Sequence, residues 1–332
     1  MIAGIRFEPA TEAGILEARA LFEEAFGGPA TPEQWLRKYF RNPAGSVAAF
    51  EARDGDRLVG FVALHPGEFS VRGERVTVYQ AGDVMTDPAY RRRGILKKLR
   101  GLAGDWLREH GAPFTISFPT AAVLAANKKL GYVVVGRLRR WVKPLAPLGP
   151  VWRRLPAAAF ARLASAVEPT IGARPPERLA SYDERIDLAW ERARGRWKFV
   201  GVRGAKFFEW RYPDDGLTAA WISPEGGADG YVVAERAARG LWIRDLVAAE
   251  DAPATVGTLL AVVTAHAREV GAEHVTFPHF GSCYRTSLLR NGFLPLPGGA
   301  PFLLYEFTRP SPERRRAANW LVTDADRDVA CL

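Results

Sequence analysis

Apolar positions along this chain change their period repeatedly, and each change marks an expected element. In "TEAGILEARALFEEAFGG", Ile15, Leu16, Ala20, Leu21 and Phe22 fall at helical spacing, and Gly27 with Gly28 stops the run. The first 40 residues read as helical. Period-two patterns follow in "SVAAFEAR", "RLVGFVALHP" and "RVTVYQAGDVMT". The pairs Asp54-Gly55 and Arg72-Gly73 separate these strands as hairpin turns. A helix is expected from about Gly94 to His110, then the strand "PFTISF", the short helix "AAVLAANKKLG" and the strand "YVVVGRLRRW".

The second half repeats this order. "ADGYVVAER" parallels "RLVGFVALH", and "LWIRDLVAAED" stands where "TVYQAGDVMTD" stood. "TVGTLLAVVTAHAREVG" matches the helix ending "LREHG", "EHVTFPHF" matches "PFTISFPT", and "TSLLRNGF" matches "AANKKLGY". One unit of hairpin, helix, strand, helix and strand thus occurs twice. Between the copies, residues 144–176 are rich in Pro, Ala and Arg and read as a connector with one helical piece near Leu155 to Val167. Its mixed apolar and basic residues suit packing at the junction, or a membrane surface. The expected division is residues 1–143, a connector at 144–176, and residues 177–332.

Chemistry concentrates in "TDPAYRRRGILKKL". A helix N-terminus offers unpaired amides and a dipole that favours anions. Gly94 lets an anion approach the backbone, and Arg91, Arg92 and Arg93 add charge. The corresponding stretch of the second copy, "AAEDAPATVGTLL", has no arginine and carries Glu250 and Asp251.

A strand, a turn Thr86-Asp87-Pro88-Ala89-Tyr90-Arg91-Arg92-Arg93-Gly94-Ile95-Leu96 and a helix, followed later by "AANKKLGYVVVG", resemble the GNAT superfamily of acyl-CoA-dependent N-acyltransferases. The resemblance covers about residues 1–140, and the second half resembles the fold without the phosphate turn. "WLRKYFRNPAG", "SFPTAAVLAANKKLGY", "KFFEWRYPDDG" and "NWLVTDADRDV" resemble a bacterial subgroup with two such units in tandem. The resemblance implies an α/β (α+β) chain of two GNAT-like domains, each a mixed, mostly antiparallel twisted sheet flanked by helices. It implies acetyl-CoA or another acyl-CoA as co-substrate. The pantetheine arm would bond near Met85 and Thr86, and the diphosphate would sit on the amides of residues 92 to 96. Leu96 replaces the family's usual Gly or Ala. Asn127 lies in the cofactor segment where many members carry the tyrosine that protonates the departing thiolate.

Acyl transfer to an amine needs a proton acceptor. Asp83, near the end of the strand feeding the turn, is the first candidate, and Asp245 is its counterpart. His65 is the second, because imidazole is the side-chain type suited to exchanging a proton at neutral pH. If the two halves face each other, His279 and Tyr284 of "PHFGSCYR" are expected to line the acceptor site. Cys283 with His279 as a nucleophile pair lacks an orienting third group. "FFEWRYPDDG" clusters aromatics that suit core packing or the stacking of a ring.

The expected reaction is direct transfer from acyl-CoA to a primary amine of a small molecule, such as an amino sugar or its nucleotide. A catalytically silent acyl-CoA-binding protein and an aminoacyl-tRNA-dependent transferase are the alternatives. The chain of 332 residues suits two domains, and its formal charge of +9 suits an anionic cofactor. No helix-turn-helix, zinc or RNA-binding pattern points to specific nucleic acid. Two cysteines without a CxxC pair, and five histidines without ligand spacing, imply reduced thiols, a cytoplasmic setting and no metal. No signal peptide or spanning segment is expected, and a monomer or homodimer fits equally.

Overall fold

The structure, a computed structural model, describes residues 4–146, 175–213, 218–223, 228–249, 253–281 and 283–327. Most of the connector, with its expected helical piece, and the residues Glu250 and Asp251 lie outside the described residues.

The chain opens with β1 (Ile5–Pro9), α1 (Glu12–Phe26) and α2 (Pro32–Phe40). Thr11 caps α1, and Gly27 ends it with φ 72°, a left-handed conformation that suits glycine. Helix α2 begins with a capping box between Thr31 and Gln34 and with Pro32 at its first position. Trp35, Lys38 and Tyr39, at i, i+3 and i+4, form its buried face. Then come β2 (Ala48–Asp54), β3 (Arg57–Val71) and β4 (Glu74–Thr86), joined as an antiparallel meander. Helix α3 (Ile95–Glu109), β5 (Phe114–Ser117), α4 (Ala121–Lys129) and β6 (Val133–Pro144) complete the first copy. The alternation of β3 builds the layers. Phe61 and Ala63 pack under α1 and α2, while Val62 and Leu64 pack under Ile95, Leu99 and Ala103 of α3.

The second copy holds β7 (Glu177–Arg178), α5 (Glu184–Ala193), β8 (Phe199–Gly201), α6 (Ala205–Arg211), β9 (Thr218–Ile222), β10 (Gly230–Ala237) and β11 (Gly240–Ala248). It continues with α7 (Pro253–Glu269), β12 (His274–Phe280), α8 (Arg285–Arg290), β13 (Leu294–Pro295), β14 (Ala300–Glu306) and β15 (Trp320–Thr323). The order of hairpin, helix, strand and helix read from the sequence is the order present. Among the described residues no helix is long and apolar enough to cross a membrane.

The copies exchange strands, which the sequence pattern does not show. The first sheet runs β1-β2-β3-β4-β5-β14-β6, so a strand from the end of the chain sits between β5 and β6. The second runs β7-β9-β10-β11-β12-β6-β13, so β6 of the first copy sits between β12 and β13. One strand, β6, serves both: residues 133–138 pair with β14, and residues 139–144 pair with β12.

Strand β8 pairs with β3, and β15 joins β8 to β12. The pairings then close a circuit, β3-β4-β5-β14-β6-β12-β15-β8 and back to β3. All eight strands send side chains into one apolar cluster that includes Phe69, Val78, Phe114, Leu138, Phe199, Phe280, Phe302 and Trp320. This cluster is where the two halves become one body.

Candidate functional site

Two features of β4 place the site. Its parallel pairing with β5 is confined to Tyr79–Thr115 and Gln80–Ile116. Residues 81–86 then run on along β3 alone, and a gap opens between the fourth and fifth strands. Within that run, Phe61 faces Met85 and Ala63 faces Gly82, so Asp83 and Val84 oppose the single Val62. This is a bulge, and Asp83 takes a left-handed φ of 45° there.

The bulge delivers the Asp83 carboxylate into a closed cage. Lys38 Nζ lies 2.8 Å from it, the Tyr39 hydroxyl donates to it, and His65 Nε2 is 3.1 Å away. All four residues are buried. Burial alone would raise the Asp83 pKa. The Lys38 ammonium and His65 outweigh it and hold the carboxyl well below the usual range.

Beyond β4, the turn forms as the sequence implies. Asp87 caps a 3₁₀ turn, Pro88–Tyr90, by accepting from the Ala89 amide at 2.8 Å. The Arg57 guanidinium pairs with Asp87, and the Tyr90 hydroxyl donates to Asp54 at 2.7 Å. Gly94, with φ 85°, is the N-cap of α3 and brings no side chain to its first-turn amides. The first helical bond is from Lys98 N–H to the Gly94 carbonyl. Met85, Thr86, Arg91, Arg92, Gly94, Ile95 and Leu96 line one cavity of about 420 Å³, which Ala25, Phe26, Val84 and Tyr90 complete. Arg93 folds back over the Tyr90 ring, 4.8 Å from its centroid, and bonds the Ala89 carbonyl. Asn127 lines neither this cavity nor the next. It is buried near the end of α4, and its side-chain oxygen has no hydrogen-bond partner among the described residues.

A second cavity, about 370 Å³, lies between the halves. Lys38, His65, Gln80 and Ile116 form its wall on the first half, beside the strand gap. Trp190 and Glu191 of α5, Arg203, and Phe207, Trp210 and Arg211 of α6 form the facing wall. The Trp210 indole donates to the Arg37 carbonyl at 2.9 Å and pins α6 to α2. The aromatic run of α6 therefore divides its work: Phe208 enters the core of the second half, while Phe207 and Trp210 face the cavity.

His279 and Tyr284 correct the sequence expectation for the acceptor wall. Both are buried in the second half and line neither cavity. His279 stacks on Phe277, and burial pushes its pKa down to about 3. The Tyr284 hydroxyl reaches the Ala248 amide at 3.3 Å. Cys283 Sγ is 3.7 Å from His279 Nε2, but burial raises its thiol to about 11. His279 lies on β12 where that strand pairs with Thr323 of β15, and Tyr284 follows β12 just before α8. Lys38 and Tyr39 were not singled out in the sequence. Their i, i+3, i+4 spacing with Trp35 marks a buried face, and a lysine on such a face is the available signal.

Residues 6–135 match the family model described as an acetyltransferase (GNAT) domain. A search of curated proteins finds no match. Among solved structures, the chain is similar to a probable N-acyltransferase from Enterococcus faecalis, with 15% identity, TM-score 0.69, and 91% of this chain and 72% of that one covered. A GCN5-related N-acetyltransferase from Kribbella flavida shares 18% identity at TM-score 0.63, covering 90% of this chain and 70% of that one. Another from Anabaena variabilis shares 15% identity at TM-score 0.67, covering 90% and 72%.

Proposed function

We propose that this chain, an acetyltransferase of the GNAT superfamily by its residues 6–135, moves an acyl group from acyl-CoA to the primary amine of a small molecule held between its halves. The observation that carries the reading is the place of the His65–Asp83 pair. His65 borders the inter-half cavity, and the bulge that holds Asp83 continues into Val84, Met85 and Thr86 of the turn cavity.

In this reading the diphosphate rests on the amides at the start of α3, with Arg91 and Arg92 beside it. The pantetheine arm enters the gap between β4 and β5 along Met85 and Thr86. The thioester then meets the acceptor near Gln80 and Ile116. His65 takes the proton as the amine nitrogen attacks the carbonyl carbon. The C–S bond breaks, and the thiolate leaves with a proton returned from the imidazolium or from water. Asp83 orients the imidazole and stabilises its charged form. Both its oxygens are already engaged by donors, so it serves as the partner of the base rather than as the base. Asn127 has no acidic proton to give, so in this reading the proton return falls to the His65 imidazolium or to water.

The test is incubation of the purified protein with acetyl-CoA and a panel of amines, amino sugars and their nucleotides included, read by mass spectrometry. An acylated amine formed by the wild type and lost in His65→Gln supports the reading. CoA binding without transfer to any amine would favour a silent acyl-CoA-binding protein.

A further inference from the structure

Asp83 serves two cations at once. Lys38 Nζ lies 2.8 Å from each of its oxygens, and His65 Nε2 lies 3.1 Å from Oδ2. The Lys38 side chain is 1% exposed, so solvent screens it little. A lysine is expensive to bury, and burying it against a carboxylate that also contacts a histidine has a consequence for the histidine. If Asp83 faced His65 alone, the carboxylate would hold the imidazole protonated and spoil it as a base. With Lys38 present, protonating His65 would leave two cations around one anion.

We propose that Lys38 is a positioning residue that neutralises Asp83 and thereby keeps His65 unprotonated near neutral pH. The proposal rests on the reading of His65 as base. Titratable and charged groups face His65 from several elements. Strand β4 supplies Asp83, with Gln80 opposite His65 in register. Helix α2 supplies Lys38 and the Tyr39 ring, 5.3 Å from the imidazole centroid. Across the cavity, the buried charges are Arg203, paired with Asp326 and Asp245, and Arg211. At the rim, Arg75 pairs with Glu68 and Glu191, and Asp187 and Lys206 are exposed. Lys38 is the cation that shares a carboxylate oxygen with His65.

The experiment follows two readouts on the whole chain. One is the imidazole NMR titration of His65, assigned by comparison with His65→Gln. The other is the acid limb of kcat/KM against pH. Lys38→Met should raise the His65 titration, and the acid limb with it, by about one pH unit or more, the scale of a near, oppositely charged neighbour. Lys38→Arg, which keeps the charge, should bring both back. Should Lys38→Met not fold, Asp83→Asn decides: it leaves Lys38 unopposed, and the His65 titration should fall. An unmoved His65 titration in a folded Lys38→Met, or in Asp83→Asn when Lys38→Met does not fold, overturns the proposal, even where turnover drops at every pH. A His65 titration that moves while the acid limb does not follow keeps the coupling and overturns the base role instead.

Discussion

Asp83 and Asp245 hold the same place in the two halves. Each sits at a bulge in the strand before the third or seventh helix, and each is buried against a cation and a tyrosine hydroxyl. Asp83 has Lys38 and Tyr39; Asp245 has Arg203 Nε at 3.1 Å and Tyr231 at 2.9 Å. The third partner differs. Asp83 has the His65 imidazole at the cavity, whereas Asp245 accepts from the Thr323 hydroxyl at 2.8 Å inside the core. The duplicated device keeps its cation and tyrosine in both copies, but has an imidazole in one and a threonine hydroxyl in the other.

Asp83→Asn and Asp245→Asn should therefore part ways. The first should lower turnover by at least about tenfold with CoA affinity near wild type, because the base loses the partner that orients it and part of the general-base contribution is lost with it. The second should lower the melting temperature, because it removes one of the two carboxylates facing the buried Arg203. Turnover, CoA affinity and melting, measured on one preparation of each variant, check both. Normal turnover in a folded Asp83→Asn ends the case for the pair.

The lowered Asp83 pKa also sets a pH dependence. A carboxyl whose folded value lies below its unfolded value contributes stability that is full above the ordinary carboxylate range. The contribution fades as pH falls through the folded value. The stability difference between wild type and Asp83→Asn should thus persist at pH 5 and shrink only through and below the ordinary range. Denaturant titrations at stepped pH measure it, and a difference that grows on acidification contradicts the cage.

Cofactor binding should localise to one turn. Calorimetry with CoA should give one equivalent per chain. Arg91→Ala should weaken binding by about tenfold, the scale of one lost hydrogen bond to a charged group. Gly94→Asp should weaken it further, since Gly94 has φ 85° and the new carboxylate faces the diphosphate. Two equivalents per chain, or two variants that bind as wild type does, would remove this site.

Much of this was legible in local pattern. Helix α1 and its stop at Gly27, the hairpin turns at Gly55 and Gly73, the turn at Gly94 and the duplicated order all follow from period and turn chemistry acting over a few residues. Asp83 and His65 were each visible as candidates, but not their contact, which depends on a bulge and on antiparallel register. Lys38 was hidden because its role is set by a carboxylate 45 positions away. His279 misled because its exposure depends on how the second half packs, and there its ring lies buried against Phe277. The exchange of β6 and β14 has no local signal at all, since either strand would read the same beside its own copy.

The thiol chemistry has a simple check. Cys283 is pushed up to about 11 by burial, so it stays protonated at neutral pH and reacts slowly. Iodoacetamide labelling of Cys283, followed by peptide mapping, should be slow in the native protein at pH 7 to 8 and fast after denaturation. Cys283→Ala should keep its turnover. Fast native labelling would reopen a nucleophile role.

The strand exchange makes the strongest demand on stability. Strand β14 bonds to β5 on one side and β6 on the other, and β6 continues into the sheet of the second half. Neither half can leave without stripping a strand from the other and opening the aromatic cluster around Trp320. That ring packs 4.7 Å from Phe199, 5.0 Å from Phe302 and 5.8 Å from Phe114, which lie on three different strands of the circuit. Trp320→Ala should cost roughly 3–5 kcal/mol. The loss should appear as a shift of one cooperative transition, because both halves border the same cluster. A chain cut at a protease site inserted between Ala146 and Pro175 should still elute as one particle and melt in one step. Two transitions in the uncut chain, or free separation of the cut halves, would show that the circuit does not close in solution.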